Sequence, residues 1–185
     1  MRLPGNCCTG VTLIELLIVL AIIAVLTTIA TPSFSDLKQA IASRSSRSAL
    51  SASINQARNS AVMHGHHVVL CPSADLNTCD RTLRWQHGWL LFVDENADDE
   101  HDPAEKIIAT NQAQSPGVAV LGSSGRYRIR YQPDGTAGGS NITLTVCDRR
   151  GPAAARSLVI SNTGRLRSGI PTPSQAAAAC DAIDT

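Results

Sequence analysis

The stretch GVTLIELLIVLAIIAVLTTIATP, from Gly10 to Pro32, decides the fold of this chain. It supplies about the 20 apolar residues that a helix needs to cross a bilayer, and it contains a single acid, Glu15. A carboxylate inside an apolar helix is costly unless it faces a partner. The stretch therefore predicts an N-terminal helix that enters a membrane, and it predicts that the Glu15 carboxylate contacts a specific partner.

Two simpler interpretations of this stretch explain less of it. An ordinary secretory signal has a basic start and a small-residue cleavage site after its apolar core, whereas only Arg2 precedes this run as a base. A plain membrane anchor accounts for the length of the run but not for Glu15. The plain anchor stays open as an alternative.

The motif GVTLIE, residues 10–15, points to a more specific signal. It resembles the class III signal peptide of type IV pilins and pseudopilins. The resemblance implies that prepilin peptidase cuts after Gly10 and that Val11 becomes the methylated N-terminus, although Phe is usual there. It also implies that Glu15 pairs with the terminal amine of a neighbouring subunit, which neutralises two charges inside an apolar filament core.

The rest of the chain, which has 185 residues in all, suffices for one long helix and one compact domain of about 120 residues. Apolar residues recur at helical spacing after Pro32, and Gly65 is a suitable C-terminal stop. The serine-rich stretch SRSSRSALSAS, residues 43–53, is interpreted as a solvated face of this helix rather than as a binding motif.

Short runs rich in β-branched and aromatic residues begin at His66, and their links are too short for parallel crossovers. The sequence thus predicts an α+β, type IV pilin-like fold in which a long N-terminal helix packs on a C-terminal antiparallel β domain. The predicted strands lie at 66–71, 89–94, 106–110, 118–122, 126–132, 141–147 and 156–161. The predicted parts are a cleaved leader at 1–10, a helix at 11–65 that is membrane span and filament core to about residue 31, and a periplasmic domain at 66–185.

The run RYRIRYQ, residues 126–132, alternates between aromatic or aliphatic and basic side chains. Alternate residues of a strand face opposite sides of a sheet. We therefore expect one face of this strand to lie in the core and the other to present a row of arginines to water, namely Arg126, Arg128 and Arg130.

Four cysteines follow the leader, which would take Cys7 and Cys8 with it. An even set in a domain exported to an oxidising compartment favours disulfides over a metal site. Three pairings are possible. Cys71 and Cys79 flank a short turn-rich loop, which favours a local bridge between them and leaves Cys147 to pair with Cys180.

Several features of the globular part narrow the family. They are the segment CPSADLNTC, Trp85, the pair Gly88-Trp89, LLFVDENADD, Cys147 and NTGRLR. Together they resemble minor pilins of the FimT/FimU type and the related GspH pseudopilins. The resemblance implies a single-pass inner-membrane protein with a periplasmic C-terminal domain. Such a protein assembles with other minor and major pilins into a pilus or pseudopilus at the cell surface.

In FimT-like minor pilins a C-terminal GRxR motif is linked to DNA binding in natural transformation, and Gly164-Arg165-Leu166-Arg167 matches it. In an extended segment Arg165 and Arg167 point to the same side about 6 to 7 Å apart, near the spacing of phosphates along a strand. Additional arginines close in sequence extend the expected basic patch: Arg149, Arg150 and Arg156. Such a patch would hold double-stranded DNA by its phosphates without reading bases.

Two alternatives to DNA binding remain open at this stage. GRLR is equally compatible with a solvated hairpin end in a subunit that only assembles. The related family also allows a GspH-like pseudopilin that initiates a type II secretion filament and binds other pseudopilins. The formal net charge of +1 does not decide between these functions.

The acidic loop at 94–105 has the residue spacing of an EF-hand calcium loop, but Asp99 stands where the sharp turn needs glycine. We therefore favour a solvated acidic loop. The histidines could bind a metal only if the fold brought them together: His64, His66, His67 and His87. No phosphate-cradling loop or nucleophile motif is present, so the sequence predicts no cofactor, no metal and no enzymatic activity.

Overall fold

The computed structural model describes the backbone of residues 11–183 and their side chains except those of residues 28–33. The predicted leader, with Cys7, Cys8 and Gly10, lies outside the described residues. A long helix α1 (Leu13–His64) precedes a β-rich region that ends in a short helix α2 (Pro173–Asp181). The predicted α+β fold class is confirmed.

The described strands form two antiparallel sheets. Sheet A has the order β3-β2-β1-β5 and sheet B the order β4-β6-β7-β8. Their bounds are β1 His67–Pro72, β2 Gly88–Asp94, β3 Ile107–Gln112, β4 Val118–Gly122, β5 Ile129–Tyr131, β6 Ile142–Asp148, β7 Arg156–Ile160 and β8 Leu166–Gly169. A single turn of 3-10 helix, Pro152–Ala154, lies between β6 and β7.

The chain divides into two compact units between Lys38 and Gln39. The second unit therefore begins within α1 and includes the second half of that helix. The physical reason is that this half of α1 buries one face, which is dominated by small side chains spaced three and four residues apart. Its fully or nearly buried residues are Ser43, Ser46, Leu50, Ser53, Ile54, Ala57, Ser60 and Ala61.

The interpretation of SRSSRS as a solvated face was wrong for Ser43 and Ser46, which are 4% and 3% exposed. Ser43 forms a hydrogen bond with the carboxylate of Asp148, and further along the same face another serine satisfies a buried donor. The indole Nε1 of Trp89 donates to the hydroxyl of Ser53 over 2.9 Å. A buried tryptophan usually needs such a partner.

The core lies between α1 and the inner faces of both sheets. It includes Trp85, Trp89, Leu91, Ile129 and Leu144, each essentially inaccessible to solvent. Burying each large apolar side chain contributes about 1.5 to 3 kcal/mol. This continuous core fixes the position of the strands that carry the candidate site.

Both favoured cysteine pairs are disulfides in the structure. Cys71 bonds to Cys79, with Cα atoms 5.6 Å apart. Cys147 of β6 bonds to Cys180 of α2, with Cα atoms 5.1 Å apart. The second bridge fastens α2 to the outer face of sheet B, where Ala176 and Ala179 pack beside Cys147.

Two elements were not predicted from the sequence, β8 and α2. Helix α2 begins with a capping box, in which the Thr172 side chain accepts from the backbone of Gln175 and the Gln175 side chain accepts from the backbone of Thr172. The sequence Thr-Pro-Ser-Gln carries this signal.

Candidate functional site

The N-terminal part of α1 exposes an apolar surface. Val11 is 72% exposed and Leu13 77%, and the large aliphatic side chains through Leu26 are similarly open. Glu15 lies in the first turn, where its backbone N–H donates to the hydroxyl of Thr12 over 3.3 Å. Gly10, the expected cleavage residue, lies outside the described residues. Within the described part of the chain, no helix reaches the length and apolarity needed to cross a membrane.

The GRLR motif begins at the turn between β7 and β8. Gly164 has a φ of +75°, and a Cβ added there would collide with the backbone carbonyl oxygen of Gly135. Glycine is therefore required both by the left-handed backbone and by the close approach of another chain segment. The Arg58 Nε–H donates to the same Gly135 oxygen over 3.0 Å and fixes the opposing turn.

Tyr131 provides the third contact to this turn. Its hydroxyl donates to the carbonyl oxygen of Gly164 over 3.3 Å. Burial raises the pKa of Tyr131 to about 12, so the hydroxyl keeps its proton at any physiological pH. The start of the arginine motif is thus positioned by the Tyr131 hydroxyl and by the Gly135 turn, which Arg58 holds in place.

Arg165 and Arg167 are exposed, whereas Leu166 between them is half-buried against the core. Their alternation places the two side chains on the same side of the segment that enters β8, with Cα atoms about 6 to 7 Å apart. Strand β8 is the edge of sheet B, paired only with β7 among the described strands. The pair can therefore reach a ligand beside the sheet without displacing another element.

The other predicted arginines do not join this pair. Arg156 is paired with Val146 and Arg167 with Val159, and β7 positions 156 and 159 face opposite sides of the sheet. The structure therefore does not form the single patch that the sequence suggested.

Arg149 and Arg150 lie in the turn after β6. The Arg150 guanidinium binds the carboxylate of Asp148 through two hydrogen bonds of 2.8 and 2.9 Å. Although burial raises the pKa of the Asp148 carboxyl, the hydrogen bonds from Arg150 and Ser43 outweigh it, and the pKa lies below its ordinary value.

Arg156 instead faces α1. Together with two arginines of that helix, Arg44 and Arg47, and with Arg150, it lines a cleft of about 520 Å³. The sequence interpretation missed the helical pair, because SRSSRS was assigned to solvent. The spacing of three between Arg44 and Arg47 places them on one helix face, which is the signal that could have found them.

The expected row of arginines in water was wrong for Arg128 and Arg130, whereas Arg126 is exposed. Arg128 and Arg130 have side chains only 21% and 30% exposed, and both form ion pairs with the acidic loop. The carboxylate of Asp99 lies 3.7 Å from Arg128 and 3.2 Å from Arg130. The loop is thus bound to arginines at the start of β5, on the far side of β1, rather than solvated throughout.

The acidic loop also satisfies its own carboxylates. Asp94 is 1% exposed, and it accepts from the backbone N–H groups of Asp98 and Asp99 over 3.2 Å each. Burial raises the pKa of Asp94. Among residues 11–183, no group of three or more His, Cys, Asp or Glu side chains is arranged to hold a metal ion.

Comparisons with known proteins identify two family matches. The family described as type II transport protein GspH matches residues 47–164, and the prokaryotic N-terminal methylation motif matches residues 5–31. The pilin-like protein PilA1 of Thermus thermophilus is 32% identical over 163 residues, which cover 85% of this chain and 96% of that protein.

Two crystal structures of the type IV minor pilin FimU of Pseudomonas aeruginosa share the fold. One matches with a TM-score of 0.55 at 19% identity, over 74% of this chain and 98% of FimU. The other matches with a TM-score of 0.56 at 18% identity, over 79% and 97%.

Proposed function

The chain belongs to the GspH family of type II transport proteins, and from this premise we propose that it is a type IV minor pilin that captures double-stranded DNA during natural transformation. Its structure is related to that of a type IV minor pilin, and its N-terminus carries the methylation motif of such proteins. The proposed role is structural and adhesive rather than catalytic.

Assembly would depend on the N-terminal part of α1. In this proposal prepilin peptidase cuts after Gly10, Val11 is methylated, and the apolar segment to about residue 31 resides in the inner membrane until assembly. The exposed aliphatic side chains of this segment support the proposal, because such a surface is unfavourable in water. Glu15 then pairs with the terminal amine of a neighbouring minor or major pilin, while the C-terminal domain occupies the periplasm.

The exposed pair Arg165 and Arg167 carries the DNA proposal. Two guanidinium groups on one side of an edge strand can each bind a phosphate, while the fixed turn at Gly164 keeps their spacing. The β8 edge carries no aromatic side chain beside them, and this favours contacts with the backbone of a duplex over stacking on bases. Binding of this kind is independent of sequence and sensitive to salt.

The test is the double variant Arg165→Gln and Arg167→Gln, made in the full chain and purified in a non-ionic detergent. The logarithm of the binding constant falls linearly with the logarithm of the salt concentration, and losing two phosphate contacts should reduce the steepness of this line by about two. Natural transformation should fall in parallel. The matched control is Arg126→Gln, which removes another exposed arginine from a different surface.

The DNA proposal fails at this site if the double variant binds duplex DNA and transforms like the unmodified protein. Loss of pili in the double variant would instead favour a role in assembly. A melting temperature within the range of the control would exclude a general folding defect as the reason for lost binding.

A pseudopilin of a type II secretion system is the second candidate function. The observation that favours it is the family match itself, since that family is described by type II transport. Deleting the gene distinguishes the two candidate functions. Loss of protein secretion would indicate a pseudopilin, whereas loss of DNA uptake would indicate the proposed minor pilin.

A further inference from the structure

The cleft between the second half of α1 and the start of β7 is lined by four arginines. Arg44 and Arg47 come from the helix, whereas Arg150 and Arg156 flank the 3-10 turn Pro152–Ala154. The remaining lining residues are small, namely Ala40, Ser43, Ala153 and Ala154. Small side chains leave the guanidinium groups as the main polar surface of the cleft.

Positive charge in the cleft is under-compensated. The carboxylate close to it is that of Asp148, which is fully buried and already bound by Arg150 through two hydrogen bonds. Four guanidinium groups beside one carboxylate leave a local charge of about +3. Among the described residues that line the cleft, none is acidic.

Arg47 shows the consequence of this crowding. Its Nε atom is buried and has no hydrogen-bond partner. Burial lowers the pKa of Arg47, and the nearby charges of Arg156, Arg44 and Arg150 lower it further. A guanidinium group surrounded by like charges is stabilised by a nearby anion, which in the cleft would lie beside Arg44, Arg47, Arg150 and Arg156.

We propose that this arginine cleft is a binding site for a phosphate group. Guanidinium forks bind phosphate oxygens in pairs, and a phosphate dianion offsets more of the excess charge than one carboxylate can. The volume of about 520 Å³ lies within the range of small-ligand sites. The source is either free phosphate or the backbone of a nucleic acid.

The site is independent of the proposed contact through Arg165 and Arg167. Arg156 and Arg167 face opposite sides of sheet B, so removing one set of arginines leaves the other in place. The two proposals can therefore fail separately.

The experiment is calorimetric titration of the full chain, in non-ionic detergent, with inorganic phosphate and separately with a short DNA duplex. The variant is Arg44→Gln with Arg47→Gln, which removes two charges and keeps most of the side-chain volume. We expect phosphate to bind the unmodified protein and to bind this variant at least about tenfold more weakly. Arg126→Gln, which removes an exposed arginine outside both proposed sites, should bind phosphate normally.

The single variant Arg47→Lys tests whether weaker binding comes from misfolding, because lysine keeps the positive charge but lacks the planar guanidinium group. It should fold normally and bind phosphate with intermediate affinity. Duplex binding distinguishes the sources: if it weakens in the cleft variant, the phosphate belongs to nucleic acid, and if it does not, the ligand is free phosphate.

Three results would overturn the proposal. In the first, phosphate does not bind the unmodified protein. In the second, phosphate binds equally well after both helical arginines are replaced. In the third, Arg126→Gln weakens phosphate binding as much as the cleft variant does, which would show a general effect of charge. Failure of the Arg165 and Arg167 test alone would leave the cleft unaffected.

Discussion

Replacing Gly164 with alanine should destabilise the domain through two separable costs. The first is the backbone, because φ at Gly164 is +75° and a residue with a Cβ loses about 1 to 2 kcal/mol in the left-handed region. The second is the collision of the new methyl group with the Gly135 carbonyl oxygen and its approach to 3.1 Å from the Tyr131 ring. Overpacking of this kind costs about 1 to 3 kcal/mol, which gives a total of about 2 to 5 kcal/mol.

The chain contains a matched control for the first cost alone. Gly139 has nearly the same φ, +76°, but an added Cβ would have nothing within 4 Å. Gly139→Ala should therefore lose only about 1 to 2 kcal/mol. Urea unfolding of both variants, with the disulfides intact, measures the difference as a shift in midpoint at constant slope.

Equal losses in the two alanine variants would refute the close approach of the Gly135 and Gly164 turns. If the losses differ as expected, the Gly164 variant should also bind duplex DNA more weakly under folding conditions, because the turn that positions Arg165 has moved. The Gly139 variant should bind normally.

Two further outcomes are expected. Replacing Cys147 and Cys180 with serine should lower the free energy of unfolding by about 3 to 4 kcal/mol, whereas replacing Cys71 and Cys79 should lower it by about 2 to 3 kcal/mol. The first bridge costs more to lose because it closes a segment of 33 residues rather than 8. Amide hydrogen exchange should become faster in α2 only when Cys147 and Cys180 are replaced. Asp148 has a folded-state pKa below the unfolded value of about 3.9, so its stabilisation is present above that pH and is lost as pH falls through the folded pKa. Asp148→Asn should accordingly lower the melting temperature at neutral pH, and the difference from the unmodified protein should shrink below about pH 4; a difference that does not depend on pH would contradict the ion pair with Arg150.

The parts of the fold that follow local patterns were predictable. The N-terminal helix and most strands come from periodicity, and the local cysteine pair follows from a short turn-rich loop. The helical face could be predicted only in part, because Ser43 and Ser46 are polar in sequence but buried in the fold. A rule based on hydrophobicity does not place a serine in the interior, and the hydrogen bond between Ser43 and Asp148 joins residues about a hundred positions apart in sequence.

The candidate site shows the same division. The same-side placement of Arg165 and Arg167 follows from strand geometry, whereas the pairing of Arg128 and Arg130 with Asp99 depends on contacts 29 to 31 residues apart in sequence. The arginine cleft depends on a still longer connection, from α1 to the start of β7. Such contacts are set by topology, which a single sequence does not display.

The disulfide between Cys147 and Cys180 has a mechanical consequence for the edge strand. Arg165 and Arg167 lie between these two cysteines, so two covalent routes connect them to Cys147, one through β7 and one through α2. A force applied to the arginines is therefore transmitted along both routes to β6, an interior strand of sheet B. Tension can peel β8 from β7 only as far as the closed loop permits, and the force then passes into the part of the sheet that is hydrogen-bonded on both sides.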